Sequence, residues 1–147
     1  MLFSIAQAIE GVRTIDHTRS KYAEVTLQSC AYAGTGNVLK VQALLRHCTE
    51  HITDAAAAEF QSIAVLGIAL TNVGEDIGTE MSLRTFEHLL HYGELPVRRI
   101  VPLALGLLYV SHPDFTVIDQ LSRLSHDQDH ELAMGAIFSL GLVSVQS

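Results

Sequence analysis

The sequence predicts an all-α fold, an α-solenoid of antiparallel helix pairs. Three observations indicate it. Apolar residues recur at helical spacing in segment after segment, two helix-length stretches are apolar on nearly every side, and a short glycine-centred motif recurs along the chain. A helix without a polar face must be covered on all sides, so an amphipathic partner is expected beside each apolar helix. We expect about seven helices and no sheet.

The first helix is predicted over Met1–Val12, and a turn-like break follows at residues 14–17. Asp16 or Thr18 is then expected to cap a second helix, which continues to Ala33. Because the first helix has no partner before it, it counts as half of a helix pair.

The segment Gly34-Thr35-Gly36 is expected to form a corner, since glycine adopts the left-handed conformation without steric cost. An amphipathic helix should follow from Asn37 to His47. The residues that it is expected to bury are Val38, Val41, Leu44 and Leu45. A polar connector, Cys48–Asp54, then leads to the next helix pair.

The centre of the chain is Ile63–Gly93, which is predicted to form two helices around a tight turn. In the first helix, which ends at Val73, Gly67 is expected to let a neighbouring helix approach closely. Gly74 supplies the left-handed residue that ends this helix. The second helix is amphipathic, and its predicted apolar side comprises Met81, Leu83, Phe86, Leu89 and Leu90.

The same pattern then recurs. Pro96 is placed to open a second all-apolar helix that reaches Val110, with Pro102 in its first turn or two. An outer helix over Asp114–Leu124 follows, and Glu131–Val143 begins a further buried helix.

The repeat can be counted from Gly67, Gly106 and Gly141, which occupy the same place in three apolar segments, 39 and 35 residues apart. Periods of this size are typical of helical solenoids. The predicted units are a partial repeat at 1–16, repeats at about 17–54, 55–93 and 94–124, and a partial repeat at 125–147. The expected core includes Leu66, Gly67, Leu70, Leu103, Leu105, Gly106, Leu107, Ile137 and Leu140. The two half repeats suggest that the chain is a segment of a larger protein. Because a half repeat leaves apolar helix surface uncovered at the end of the solenoid, we also expect the chain to self-associate through these ends.

The composition excludes several classes of protein. The chain has 147 residues, is 48% hydrophobic and carries a net charge of −7, which argues against nucleic-acid binding. The longest apolar runs, Ile63–Leu70 and Ile100–Val110, are shorter than the roughly 20 residues that span a bilayer, so no membrane association is expected. Cys30 and Cys48 make no disulfide framework, which favours a reducing cytoplasmic or nuclear compartment.

The chain resembles a known family of repeat proteins. The resemblance is carried by the glycine motifs at Gly67 and Gly106 and by several runs that match over the whole chain: Ser29–Gln42, Ala64–Leu70, Gly74–Gly78, Met81–Arg84, His91–Gly93, Arg98-Arg99, Val101–Ala104 and Ser125–Asp127. These runs are similar to the proteasome/cyclosome repeats of the large scaffold subunits in the 26S proteasome regulatory particle.

This resemblance implies an arc of a toroid that lies beside the proteasomal ATPase subunits. It also implies that the outer helices receive ubiquitin and the ubiquitin-like domains of shuttle factors. The residues that correspond to this receptor surface are Leu2, Phe3, Ala6 and Glu10 in the first helix and Asn37, Lys40 and Gln42 in the third. The alternative is a purely structural part of the toroid that contacts the ATPase ring without receptor activity.

No catalytic or metal chemistry is expected, and no cofactor. His47 and His51 lie four residues apart, and His88 and His91 three apart, but structural zinc requires four ligands and none completes either set. Cys30 is expected to pack in the core. We therefore predict a protein that is not an enzyme.

Two charged segments permit more than one interpretation. The pair Arg98-Arg99 could contact an acidic partner surface, or it could be solvated or paired locally with Glu94. The acidic residues of the segment from Asp127 to Glu131 lack the spacing of a calcium loop, so helix capping is the expected role.

Overall fold

The computed structural model describes residues 2–17 and 19–145, with every side chain in these ranges except that of Leu2. These residues form eight α-helices and no strand, one helix more than the seven expected. The helices are α1 (Leu2–Arg13), α2 (Ser20–Ala31), α3 (Val38–Thr49), α4 (Ala55–Asn72), α5 (Asp76–Tyr92), α6 (Leu95–Leu108), α7 (Phe115–Leu124) and α8 (His130–Ser144). The prediction of an all-α fold is confirmed.

The helices are arranged as a row of inner helices with outer helices upon it. α2, α4, α6 and α8 pack side by side in chain order, while α1 packs on α2 and α3 on α4. α5 contacts both α4 and α6, and α7 packs mainly on α8. In the described residues, neighbouring outer helices do not pack against each other, so grooves remain between them. This arrangement is the predicted α-solenoid.

The core runs along the inner helices. Ala64, Val65 and Ile68 of α4 have no exposed surface, and neither do Val101 and Leu105 of α6. By length and composition α4 could cross a membrane, but 56% of it is buried against the rest of the protein, as in a core helix. The apolar surface of α4 is therefore covered by its neighbouring helices in the solenoid.

Close contacts between inner helices occur at two of the glycines. A Cβ atom at Gly67 would collide with the Ser29 hydroxyl of α2, and one at Gly106 would collide with Ser139 of α8. At Gly141 the sequence also predicted a structural role, but no described atom outside its own turn of the helix lies within 4 Å of an added Cβ there. The equivalent face of α8 is exposed because no described helix covers it.

The glycine corner between α2 and α3 also binds the end of α4. The Gly34 N–H donates to the Leu70 carbonyl at 2.8 Å, and the Gly36 N–H donates to the Thr71 carbonyl at 2.9 Å. Carbonyl groups in the last turn of a helix have no partner within the helix, so this corner satisfies two of them. Gly34, Gly36 and Gly74 have φ values of +70°, +60° and +81°, the region that favours glycine.

Some residues expected in the core are exposed. Val38 and Met81 are 65% and 56% exposed because they face the space between α3 and α5. Ile137 is 58% exposed on the side of α8 that no described helix covers. Cys30 is exposed as well, so the prediction that it packs in the core is wrong.

Two helix starts also differ from the prediction. α6 begins at Leu95, which places the buried Pro102 in the helix interior instead of the first turns. The N-cap of α2 is Arg19, without a side-chain hydrogen bond, so Asp16 does not cap this helix. The alternative cap, Thr18, lies outside the described residues.

Candidate functional site

The residues expected in the receptor surface of α1 face solvent. Phe3, Ala6 and Glu10 are exposed, and the side chain of Leu2 lies outside the described residues. Glu10 accepts a hydrogen bond from the Arg13 guanidinium at 3.2 Å, so part of its charge is already compensated. Arg13 also pairs with a glutamate of α2, which fixes its position.

The three predicted residues of α3 have separate environments. The Asn37 side chain caps α3 by accepting from the Lys40 N–H at 3.1 Å. The Lys40 ammonium lies 4.9 Å from the centre of the Tyr32 ring, in the space between α2 and α3. Gln42 is exposed on the opposite flank, toward α5. Since α1 and α3 do not contact each other, the described side chains among the seven predicted residues do not form one continuous surface.

An apolar groove lies between α3 and α5, and α4 forms its floor. Its volume is about 300 Å³. Val38 and Gln42 line the α3 wall, Ile77 and Met81 line the α5 wall, and Ile68 lies on the floor. Ile77 is 78% exposed. Exposed apolar side chains that converge on a concave surface mark a site for another molecule.

The floor of this groove is held by a buried polar contact. Asn72, at the end of α4, donates from its side-chain amide to the Ser82 hydroxyl of α5 at 2.7 Å. A Cβ atom at Gly78 would collide with this same Asn72 side chain. Gly78 therefore permits the close crossing of α4 and α5 that sets the width of the groove.

The charges around the groove are acidic. Among its described lining residues, Glu75 is the one charged side chain, and Asp76 lies beside it at the start of α5. The sequence pattern does not predict this groove, because helical periodicity puts Met81 on the buried side of α5. The i, i+4 spacing of Ile77 and Met81, directly after a glycine corner, is the signal that could have identified it.

A wider, more polar cleft of about 460 Å³ lies at the C-terminal ends of α3 and α5. Cys48, His51, His88 and Tyr92 line it. Burial raises the pKa of the Cys48 thiol to about 12, so this sulfur is a protonated, unreactive group at neutral pH. In the described part of the chain, no group of three or more His, Cys, Asp or Glu residues could hold a metal ion.

No family model matches the chain. The chain is 52% identical over 140 residues to 26S proteasome non-ATPase regulatory subunit 2 homolog A of Arabidopsis thaliana, an alignment that covers 95% of the chain and 16% of the relative. It is 48% identical over 136 residues to 26S proteasome non-ATPase regulatory subunit 2 of Dictyostelium discoideum, covering 92% of the chain and 15% of the relative. It is 47% identical over 138 residues to 26S proteasome regulatory subunit rpn1 of Schizosaccharomyces pombe, covering 92% and 16%.

These similarities confirm the resemblance that the sequence indicated. The chain spans about 16% of the length of the curated relatives it matches. It therefore corresponds to one segment of these regulatory subunits.

Proposed function

We propose that this chain, a homologue of one segment of 26S proteasome non-ATPase regulatory subunit 2, is a non-catalytic scaffold segment of a proteasome regulatory particle. Its outer helices receive ubiquitin or the ubiquitin-like domains of shuttle factors. Proteasomal ATPase subunits are its further partners, and its compartments are the cytoplasm and the nucleus. The two relatives from Arabidopsis thaliana and Dictyostelium discoideum are named as non-ATPase regulatory subunits of the 26S proteasome, which supports the scaffold part of this proposal.

The observation that carries the receptor part is the apolar groove between α3 and α5. Ubiquitin-like modules present an apolar patch with a basic rim, so their receptor needs exposed apolar groups beside acidic ones. Val38, Ile77 and Met81 supply the exposed apolar surface, and Glu75 and Asp76 supply the acid. Burying apolar area contributes about 25 cal/mol per Å², and in this groove several exposed apolar side chains converge on one concave surface.

The groove shifts the centre of the receptor surface from α1 toward α5. Of the predicted residues, Gln42 lines the groove and Asn37 caps the helix that forms one of its walls. Phe3 and Glu10 remain exposed on α1 and offer a second, smaller contact. We expect weak binding to the isolated chain, because these contacts are separate and Glu10 is already paired with Arg13.

A titration with ubiquitin tests this proposal. The ¹⁵N-labelled chain is titrated with unlabelled ubiquitin, and amide shifts are expected to cluster on Val38–Leu45 and on Ile77–Thr85. Met81→Glu should weaken binding at least fivefold, since it places a charge on the apolar wall. Met134→Glu is the matched control: Met134 is 64% exposed on α8, away from the groove, and its substitution should leave the affinity unchanged.

Two outcomes would contradict the receptor proposal. One is the absence of saturable shifts at millimolar ubiquitin, and the other is an equal effect of the two methionine substitutions. Either outcome would favour the alternative, a purely structural segment that contacts the ATPase ring and has no receptor activity.

A further inference from the structure

Three exposed apolar side chains recur at equal spacing along one edge of the solenoid. Leu39, Ile77 and Phe115 follow one another at intervals of 38 residues. Each lies in the first turn of an outer helix, α3, α5 or α7, and they are 76%, 78% and 86% exposed. Exposed apolar residues are normally scattered singly over a surface, so a row that repeats with the helix pairs marks a surface for another molecule. We call this row the corner rim.

The side chains of the corner rim point away from the core because of their place in the helix. Val41 and Val117 are buried, and they lie two residues after Leu39 and Phe115. Two residues correspond to about 200° around a helix, which puts Leu39 and Phe115 on the outward side. Ile77 has the equivalent place in the repeat of α5. The row therefore forms on one side of three successive outer helices.

The spacing of the row favours a helix as the partner. Packed helices lie about 10 Å apart, and each helix pair adds one inner helix to the row, so neighbouring side chains of the corner rim are also about 10 Å apart. A helix advances about 10 Å in seven residues, which return to nearly the same side after two turns. A strand covers this distance in three residues, an odd number, so its contacts would alternate between faces.

The carboxylates beside the row are acidic groups that the fold leaves unpaired. Glu75 and Asp76 precede Ile77, and Asp114 precedes Phe115. None of these three carboxylates forms an ion pair with a residue that the structure describes. The Glu75 side chain makes no capping hydrogen bond to α5 either. An acidic and apolar surface complements a basic and apolar partner, and it disfavours nucleic acid and anionic lipid.

One basic residue lies next to the row. The Lys40 ammonium lies 4.9 Å from the centre of the Tyr32 ring, toward the space between α2 and α3. The negative charge of the corner rim is therefore concentrated around Ile77 and Phe115, and the basic side chains of a partner belong at this part of the row.

We propose that the corner rim binds a basic amphipathic helix of a partner protein. Apolar residues of this helix, seven residues apart, pack on Leu39, Ile77 and Phe115. Lysine or arginine side chains that flank this stripe pair with Asp76 and Asp114. Leu39 and Phe115 do not line the groove between α3 and α5, so this proposal can be tested apart from the binding of ubiquitin-like modules.

Two peptides of equal length test the proposal on the full chain. The ¹⁵N-labelled chain is titrated with an acetylated and amidated peptide of three Lys-Ala-Ala-Leu-Ala-Ala-Lys repeats, whose leucines are seven residues apart. The control peptide replaces every lysine by glutamate and keeps the leucines. We expect saturable amide shifts at the starts of α3, α5 and α7 with the basic peptide, and at least tenfold weaker binding of the acidic one.

Substitutions of exposed residues locate the site without disturbing the core. Leu39→Ala and Phe115→Ala should each weaken the basic peptide at least fivefold, and Asp76→Asn should weaken it and reduce its salt dependence. Tyr92→Ala is the matched control, because Tyr92 is 78% exposed at the opposite end of α5, and it should change the affinity less than twofold. Phe115→Ala should leave the affinity for ubiquitin unchanged, so the failure of one proposal is distinguishable from the failure of the other.

Three results would overturn the proposal. The first is equal binding of the basic and the acidic peptides, and the second is a Phe115→Ala variant with unchanged affinity for the basic peptide. The third is a basic proline-rich peptide, with leucine at every third position, that binds as tightly as the helical one. This last result would identify an extended partner segment instead of a helix.

Discussion

Gly67 of α4 faces the hydroxyl of Ser29 on α2, with no room between them for a Cβ atom. Ser29 is buried, and its hydroxyl donates to the Val25 carbonyl at 2.7 Å, so this side chain is held in place. The Leu44 side chain of α3 approaches the same point within 3.2 Å of an added Cβ. Three helices therefore meet at one glycine.

We expect Gly67→Leu to be among the most destabilising substitutions in the chain. The larger side chain must enter this three-helix contact, and overpacking of this kind costs about 1–3 kcal/mol or more. Gly141→Ala is the control, because it places a Cβ atom in open space within a helix and should stabilise by up to about 1 kcal/mol. Urea unfolding followed by circular dichroism measures both. A midpoint unchanged by Gly67→Leu would show that the contact is not tight.

The pair between Arg99 and Asp129 makes stability depend on pH in the acid range. Arg99 holds the pKa of Asp129 at about 2, aided by the Leu132 N–H at 3.0 Å, against a usual value of 3.8. Because the folded pKa is lowered, the contribution is complete above about pH 5 and is lost as the pH falls through 2. Asp129→Asn keeps a capping residue but removes the charge, so it should destabilise at pH 7 and much less at pH 2.

The measurement is the urea midpoint of both chains at pH 7, 4 and 2. Asp119→Asn serves as the control, since Asp119 forms an exposed i, i+4 pair with Arg123 and such pairs contribute little. A difference between wild type and Asp129→Asn that stays constant over this pH range would contradict the account.

The two cysteines should differ in reactivity. Cys30 is exposed, whereas burial raises the pKa of Cys48 to about 12 and removes its thiolate at neutral pH. With a disulfide reagent such as DTNB at pH 8, Cys30 should react at least tenfold faster than Cys48 in the folded chain. Cys30→Ser and Cys48→Ser assign the two phases, and the difference should vanish in denaturant. Equal rates in the folded chain would exclude the burial of Cys48.

The two flanks of α3 should respond differently to added charge in the ubiquitin titration. Gln42 lines the apolar groove, while Lys40 lies over the Tyr32 ring on the other flank. We expect a dissociation constant in the high micromolar range or weaker, about −5 to −6 kcal/mol. Gln42→Glu should strengthen binding several-fold and make it more salt-sensitive, and Gln42→Lys should weaken it. Lys40→Glu should have the smaller effect, and the reverse order would place the binding surface between α2 and α3.

Self-association of the chain remains a prediction, and α8 is the element that should mediate it. Its outward side exposes Met134, Ile137 and Phe138, and the exposed Val145 directly follows its last residue. Contiguous apolar surface of this kind is buried by association when nothing else covers it. Light scattering should show dimers or larger species at high concentration, and Phe138→Glu should reduce them. A strictly monomeric wild-type chain would contradict this prediction.

The positions of the helices were predictable because their signals are local. Gly74 ends α4 through its own left-handed backbone, and Pro96, which has no backbone N–H to donate, is the second residue of α6. The amphipathic pattern of α7, from Phe115 to Leu124, needs no neighbour to be recognised. The division into repeats at about 17–54, 55–93 and 94–124 follows from the same local signals and stays a prediction.

The exposure of individual apolar residues was not predictable in the same way. Val38 and Met81 have the spacing of buried residues, yet both face the groove between α3 and α5. Periodicity shows which residues share a side of a helix, but not whether another helix covers that side. The uncovered side appears only when each outer helix is placed on the inner helix that follows it.

The sequence by itself determined the all-α solenoid, its corners and its family resemblance, because helix periodicity and glycine placement act within a few residues. The tertiary structure decided which of two adjacent arginines is neutralised, which cysteine is partly buried and where a groove opens. Arg98 and Arg99 are chemically identical neighbours, and the distant Asp129 and Glu131 at the start of α8 distinguish them by pairing with Arg99. Such differences depend on which helices pack together, and the sequence does not encode that information locally.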